Sequence, residues 1–211
     1  MLESLFINSL SAFGDDYKAL CQHHYPTIHN RGMSPAHLSA AFQRRLLALV
    51  KQECTDVECS MHSYDTNHDL YIYTVVIENK KTWLIYPQFL NAKTEAKDQI
   101  FSAIKQLVKE SKIKRSDHLA ILCDHWYDRT RSSKTLYHWW TGNLPEVGIS
   151  FNHQGIHNLI PEDNDDLAII IQKKFQLACI NRSIFHPLET TNKHALLKYF
   201  LCFALFECST N

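Results

Sequence analysis

The stretch that decides the fold is Val57–Phe89, VECSMHSYDTNHDLYIYTVVIENKKTWLIYPQF. Three segments rich in β-branched and aromatic residues are separated within it by two short polar breaks, around residues 65–68 and 78–81. Such a pattern predicts three consecutive strands, over 57–63, 70–77 and 82–86, with Pro87 ending the third. Because the breaks are short, the strands are expected to form an antiparallel meander.

Helical patterns flank the meander on both sides. Upstream, an apolar stripe follows Ser34 and Pro35, a favourable start for a helix over 35–53, and a first helix from Leu2 is expected to end at Gly14. Downstream, Thr94 begins another amphipathic helix, and the continuously apolar run Leu119–Cys123 is typical of a buried strand. We therefore predict an α/β protein whose mixed central sheet is built on the meander and flanked by helices.

The C-terminal half is predicted to add a strand and two helices. Residues 147–151 have the composition of a strand, and Asp163–Asp166 offers caps for a helix that runs to Ile184. A last helix is expected over 191–207. With no internal repeat and no linker, the chain is predicted to be a single domain, 1–211, that carries a helical extension over 163–207.

Composition indicates an ordinary globular protein with balanced charge. The 211 residues are 45% hydrophobic and include 22 basic and 22 acidic side chains, so the formal net charge is zero. A whole-surface attraction for nucleic acid or membrane is therefore not expected, and such binding would need a local patch. The 13 histidines are scattered along the chain, which argues against one metal centre that collects them.

Cysteine usage and the absence of targeting signals favour a cytoplasmic location. The seven cysteines show no framework spacing, and Cys123, Cys179 and Cys202 lie in apolar runs, as reduced buried thiols do. The N-terminal residues lack a secretory pattern. The most apolar stretch, Ala195–Phe206, contains Lys198 and is shorter than the ~20 residues that span a bilayer.

The order helix, three-strand meander, helix and buried strand, over roughly residues 35–125, resembles the core of the PD-(D/E)XK, or restriction-endonuclease-like, superfamily. The resemblance implies an acid on the second strand and an acid-x-Lys pair on the third, which together hold Mg²⁺ and orient the attacking water. Two placements of this motif are available in the sequence.

In the first placement, Asp69 opens the second strand and Tyr86 and Gln88 occupy the pair on the third. The meander brings the start of strand two beside the end of strand three, so the geometry fits. Tyrosine and glutamine are neutral, however, and would hold Mg²⁺ poorly. Some members of the superfamily also carry a glutamate on the preceding helix, where this chain offers Gln43.

In the second placement, Glu78 and Lys80 form the acid-x-Lys pair, with Asp69 or Asp65 upstream. An unbroken strand over 70–77 would hold Asp69 and Glu78 ~30 Å apart, too far to share an ion. We favour the first placement and hence a site that does not cut. The alternative is purely structural, with Asp69 capping a hairpin and residues 78–81 forming an exposed turn.

The strongest nucleic-acid candidate is the segment that follows the buried strand. It contains three basic residues and then aromatic ones; the set is Arg129, Arg131, Lys134, Tyr137, His138, Trp139 and Trp140. Arginine contacts phosphate and aromatic rings stack on exposed bases. Lys112, Lys114 and Arg115 form a second basic cluster. The alternative is a solvated loop above two core tryptophans.

Two weaker sites are considered. Cys54, Cys59 and His62, with His68 nearby, have ligand types that zinc accepts, but no second cysteine pair follows. Asp124, His125 and Asp128 lie just past the buried strand, where α/β folds often place sites. A histidine satisfied at a strand end is the alternative.

Three functional hypotheses follow. The first is a nuclease-fold protein with an inactive site that serves as a DNA-binding or assembly subunit; the resemblance implies a defence, restriction or mobile-element system. The second is an active Mg²⁺-dependent endonuclease that uses Asp69, Glu78 and Lys80. The third is a non-catalytic protein that binds a partner, or a second copy of itself, through the apolar C-terminal helix.

Overall fold

The computed structural model describes residues 2–28, 33–53, 56–65, 69–89, 93–110, 112–114, 116–145, 149–162, 165–190 and 192–208. In chain order its elements are α1 (Leu2–Ile28), α2 (Pro35–Glu53), β1 (Val57–Asp65), β2 (Leu70–Ile77), β3 (Lys80–Tyr86), α3 (Thr94–Lys109), β4 (His118–Trp126), α4 (Arg131–Thr141), α5 (Ile149–His153), α6 (Leu167–Phe175), β5 (Leu177–Phe185) and β6 (Tyr199–Cys208).

The strands form one six-stranded sheet in the order β1-β2-β3-β4-β6-β5. The pairs β1–β2 and β2–β3 are antiparallel, so the predicted meander is confirmed. Strand β4 lies parallel to β3, and α3 makes the crossover that a parallel pair requires. The chain thus has a mixed α/β fold with helices on both faces of a mixed sheet, as the sequence predicts.

Alternation along the strands divides the core into two layers. On β3, Leu84 and Tyr86 pack with α1 and α2, whereas Trp83 and Ile85 face α3, α4 and α6. The period of two along a strand sends successive side chains to opposite faces. The sheet therefore separates an α1–α2 layer from an α3–α4–α6 layer.

The predicted helical extension over 163–207 is formed only in part, as helix α6, which Asp166 caps. Helix α6 ends at Phe175, where Gln176 takes a left-handed conformation with φ of 58°, and β5 follows immediately. Residues 199–208 form β6, which pairs with β4 on one side and β5 on the other. Residues 199–206 are all buried, so the apolar C-terminal helix proposed as a docking element does not exist.

Three smaller predictions also change. Helix α1 continues through Gly14 to Ile28 rather than ending at Gly14. The strand predicted over 147–151 is not formed, because residues 149–153 make the short helix α5; residues 146–148 lie outside the described residues. The basic and aromatic segment after β4 is the helix α4, not a loop. Within the described residues, no helix is long and apolar enough to cross a membrane.

Candidate functional site

The meander places the residues of the first motif placement at one end of the sheet. Tyr71 of β2 pairs with Tyr86 of β3, so Asp69, two residues before Tyr71, and Gln88, two residues after Tyr86, lie at that same end. Asp69 is half-exposed and has a φ of 46°. Tyr86 is fully buried and points toward α2.

Four neutral polar side chains meet around Tyr86, and we call them the Tyr86 cluster: Gln43, Cys59, Tyr73 and Tyr86. The Cys59 thiol donates to Gln43 Oε1 at 3.3 Å, and the Tyr73 and Tyr86 rings meet edge to face at 5.8 Å. Burial raises the pKa of Tyr86 well above its ordinary value and also raises that of Cys59, so neither ionises near neutral pH. Within the described residues, the Tyr86 hydroxyl and Gln43 Nε2 make no hydrogen bond of good geometry.

The Tyr86 cluster does not fit a magnesium ion. Mg²⁺ is held by carboxylates and water in an octahedral arrangement, and this cluster offers an amide, a thiol and two phenols, with Tyr86 and Gln43 buried. Gln43 of α2 stands where the resemblance implies a glutamate in some members. Of the three residues of the first motif placement, only Tyr86 belongs to this cluster.

The structure does not bring the residues of the second motif placement together. Glu78 and Asn79 form the exposed β2–β3 turn, with φ values of 48° and 66°, and Lys80 pairs with Ile77. Asp69 lies at the other end of β2, about 30 Å away at ~3.3 Å for each step along the strand. Asp65 pairs with Leu70 and shares that far end. Within the described ranges, no three His, Cys, Asp or Glu side chains are grouped so that they could hold a metal.

The cysteine–histidine set does not form a zinc site among the described residues. Cys59 faces Gln43, whereas His62 Nε2 lies 3.2 Å from Lys112 Nζ and its ring meets Trp83 edge-on. Lysine beside the imidazole and burial both lower the pKa of His62, with burial the larger cause. Cys54 and His68 fall outside the described residues.

At the end of β4, Asp124 and His125 form hydrogen bonds on opposite faces of the sheet. Asp124 Oδ2 accepts from the Met33 backbone N–H at 2.6 Å and from the Tyr199 hydroxyl at 2.8 Å. His125 Nδ1 lies 3.2 Å from the Phe89 carbonyl and Nε2 lies 2.8 Å from Ser133 Oγ. Both side chains are buried, so they connect the starts of α2 and α4 to the sheet rather than facing a ligand.

The predicted nucleic-acid segment divides into exposed cations and buried rings. Trp139 is 3% exposed and Trp140 is fully buried, with its Nε1 donating to the Phe203 carbonyl at 2.9 Å. The prediction that these tryptophans stack on bases is wrong, because neither ring has a free face. Arg129 and Arg131 are exposed and Lys134 is half-exposed. Arg131 pairs with Glu162 at 2.5 Å.

A basic row on α3 was not noticed in the sequence. Every fourth position from 93 to 109 is a lysine or a phenylalanine: Lys93, Lys97, Phe101, Lys105 and Lys109. Residues four apart are neighbours on a helix, so this spacing, which turns gradually around α3 from α4 toward α6, can be read from the sequence. We define the basic surface as this row's lysines with two neighbours: Lys93, Lys97, Lys105, Lys109, Arg131 and Lys174.

Contacts through Trp139 make this surface continuous. Lys97 Nζ lies 4.3 Å above the Trp139 ring, and the Phe101 ring lies 6.3 Å from the same tryptophan. Lys174 of α6 places its Nζ 4.8 Å above Phe101. The buried tryptophan thus supports the basic residues from below.

Two open grooves run along the basic surface. One, of about 620 Å³, lies where α3 and α4 begin and is lined by Lys93, Lys97 and Arg131 together with Glu95 and Glu162. The other, of about 570 Å³, lies between α3 and α6; its lining includes Phe101, Lys105, Lys109, Lys174 and Phe175.

The two acidic residues of α3 lie between the basic surface and a third groove. Glu95 and Asp98 line a third groove, of about 650 Å³, together with Asp65 of β1. Asp98 also borders the α3–α6 groove, and Glu95 also borders the one at the helix starts. Helix α3 therefore carries lysines toward α4 and α6, and its two acids border both the basic grooves and the groove at the β1–β2 edge.

Comparison with known proteins gives little further assignment. No family model matches the chain, and no curated protein was found to match it. Among solved structures, it is similar to a crystal structure of D. rerio TDP2 humanized by 14 mutations, with 9% sequence identity and a TM-score of 0.32. The similarity covers 72% of this chain and 68% of that chain.

Proposed function

We propose that this chain binds nucleic acid through the basic surface and does not cleave it, as a non-catalytic protein with a nuclease-like fold. The resemblance of its αβββαβ core to the PD-(D/E)XK superfamily supports the nuclease-like part. It also suggests a role as a DNA-binding or assembly subunit of a defence, restriction or mobile-element system.

The observation that carries nucleic-acid binding is the excess of cations over acids along the two grooves of the basic surface, six against three: Glu95, Asp98 and Glu162. A chain with zero formal net charge has placed five lysines and an arginine on one surface, formed by the start and one side of α3 and by the adjacent ends of α4 and α6. A local positive field of this kind attracts the phosphate backbone and displaces its counterions. The surface thus supplies the local patch that nucleic-acid binding by a chain of zero net charge would need.

Arg131 is available to phosphate despite its ion pair. Its side chain is 71% exposed and that of Glu162 is 84% exposed. Exposed pairs of this kind contribute ~0–1 kcal/mol, because water screens them. A phosphate that accepts two hydrogen bonds from the guanidinium would replace the carboxylate at little cost.

Two features argue against cleavage. The Tyr86 cluster supplies no carboxylate, and the Tyr86 hydroxyl at its centre is buried. It also lies in the α1–α2 layer, whereas the basic surface belongs to the α3–α4–α6 layer on the other side of the sheet. A strand bound to the basic surface would therefore not reach the position that the motif assigns to the metal.

The test combines binding and cleavage on the full chain. Fluorescence anisotropy with labelled single-stranded and duplex DNA at about 50 mM salt should show binding that weakens steeply toward ~200 mM salt. Lys93→Glu with Arg131→Glu should weaken binding at least about tenfold, since two attractive contacts become repulsive. The matched control, Lys51→Glu with Lys193→Glu, makes the same charge change at exposed positions away from the surface and should leave affinity close to the native value.

Supercoiled, linear and single-stranded DNA incubated with Mg²⁺ or Mn²⁺ should remain intact. Cleavage that disappears in Asp69→Ala or Glu78→Ala would contradict the non-catalytic half of the proposal. Absence of binding to any nucleic acid at low salt would contradict the binding half.

A further inference from the structure

We infer that the basic surface holds a single strand and that one unpaired base enters the α3–α6 groove and stacks on Phe101. This inference rests on the proposed function and adds the form of nucleic acid and the position of a base site. It assigns to Phe101 the stacking role that the sequence suggested for Trp139 and Trp140.

Phe101 presents an aromatic ring at the right place. The ring is half-exposed and packs against Trp139 at an interplanar angle of 71°, which holds it from one side. Its face is covered by the ammonium group of Lys174, whose side chain is exposed. Because a lysine side chain turns easily, a base can take the place of the ammonium group, which then reaches the phosphate of the same nucleotide.

The groove around Phe101 suits a nucleotide in size and charge. Its volume of about 570 Å³ lies in the range of ~300–1,000 Å³ that small-ligand sites occupy. Lys105, Lys109 and Lys174 outnumber the one acid among its lining residues, Asp98. Among the described residues, neither Lys105 nor Lys109 forms an ion pair, so both ammonium groups can meet phosphate.

Apolar surface next to Phe101 completes the base site. Phe175 is half-exposed and Val108 is 39% exposed, and both line the groove. Proteins that bind single strands without reading sequence combine aromatic and apolar surface, on which bases stack, with lysines that contact the phosphates. In a duplex the bases stack on one another and present only their edges, so Phe101 could not contact a base face without flipping it out.

Binding and stacking can be measured separately on the full chain. A labelled oligothymidylate and a duplex of equal charge should be compared by anisotropy at the same salt, and the single strand should bind about tenfold more tightly. Phe101→Leu keeps an apolar side chain against Trp139 and removes the aromatic face, so it should weaken single-strand binding about tenfold and leave duplex binding unchanged. Phe101→Tyr keeps the face and should restore native affinity, while thermal melting checks that both variants fold.

A fluorescent base reports the contact directly. An oligonucleotide with one 2-aminopurine should lose fluorescence on binding to the native protein and to Phe101→Tyr, and much less on binding to Phe101→Leu. Lys105→Glu with Lys109→Glu should weaken binding, whereas Lys51→Glu with Lys193→Glu should not.

The outcomes separate the inference from the proposed function. Equal affinity for single strand and duplex, unchanged by Phe101→Leu, would overturn the base site and leave the proposed function standing. No binding to either form would remove both. Binding to anionic phosphatidylserine vesicles, without binding to oligonucleotides, would also overturn the inference and identify the surface as a lipid contact.

Discussion

Asp124 shows how a single buried carboxyl can connect distant parts of this fold. One of its oxygens accepts from the backbone at Met33, just before α2, and from the hydroxyl of Tyr199 at the start of β6. Burial raises the pKa of Asp124 to about 6, although both hydrogen bonds oppose the rise. The charged form is therefore the unfavourable one in the folded protein.

The stability contributed by Asp124 should depend on pH in a defined window. Its folded pKa of about 6 exceeds the ~3.9 of an unfolded aspartate, so this contribution is fully present below about pH 4 and is lost as the pH rises through 6. Asp124→Asn keeps an oxygen for both donors and stays neutral. The variant should match the native protein near pH 4 and exceed its free energy of unfolding by up to about 3 kcal/mol at pH 8.

Urea unfolding of both proteins from pH 4 to pH 8 would check this expectation. The difference between the two free energies matters, because the pH dependence of all other groups cancels in it. A difference that does not change with pH would contradict the role given to the Asp124 charge.

At the scale of elements, the end of α4 depends on Gly142. This residue closes the helix with a φ of 77°, and its N–H donates to the His138 carbonyl at 2.7 Å. Directly beside it lies the ion pair between Arg182 of β5 and Asp166, whose Oδ1 also caps α6 through the Ile169 N–H. The turn after α4, the start of α6 and strand β5 are thus held at one point.

Two glycine substitutions separate backbone strain from this contact. Gly142→Ala would place a methyl group against both Arg182 and Asp166, whereas Gly155→Ala, also at positive φ (69°), has no other group within 4 Å. Gly155→Ala should cost about 1 kcal/mol for the left-handed backbone, and Gly142→Ala about 3 kcal/mol. Thermal unfolding would measure the loss of stability in both variants. Equal losses would show that Arg182 and Asp166 move away from the added methyl group at no energetic cost.

Strand β6 illustrates why the sequence predicts a helix where the structure has a strand. All residues of 199–206 are buried, since β6 lies between two strands and is covered on both faces. A run that is apolar at every position has no period of 2 or 3.6 that separates strand from helix. Only the pairing with β4, which is distant in sequence, makes this segment a strand.

At the scale of the whole molecule, the sheet separates two chemically different layers. The α1–α2 layer covers the neutral Tyr86 cluster, and the α3–α4–α6 layer carries the basic surface. Because the formal net charge is zero, binding to nucleic acid depends on this local arrangement and should be sensitive to salt.

The salt dependence of nucleic-acid binding should show how many lysines of the α3–α6 groove contact phosphate. In a plot of log K against log salt concentration, each phosphate contact on a single strand contributes a slope of about 0.7. Replacing Lys105, Lys109 and Lys174 with alanine should therefore reduce the magnitude of the slope by about 2. Anisotropy titrations between about 50 and 200 mM salt would measure it, with Lys51→Ala and Lys193→Ala as the control. An unchanged slope would place the phosphate contacts elsewhere.

The sequence by itself determined the meander, its flanking helices α2 and α3, and the buried strand β4. Alternation, turn residues and helix starts depend on residues that are close in sequence, so they can be recognised without knowledge of the fold. The four-residue spacing of lysines on α3 is a local pattern of the same kind, although these lysines are not among the binding residues that the sequence analysis predicts. Tyr86 could also be named from its place in the meander pattern, and Gln43 from its place on the preceding helix.

Tertiary structure alone decided the parts that depend on distant segments. It made 177–185 and 199–208 strands, buried Trp139 and Trp140, and enclosed Tyr86 with Gln43 and Cys59. It also assembled the groove in which Lys174 of α6 meets Phe101 of α3. The physical reason is that burial and shared surfaces arise from packing between elements, whereas the periodic pattern of a segment reports only its own local conformation.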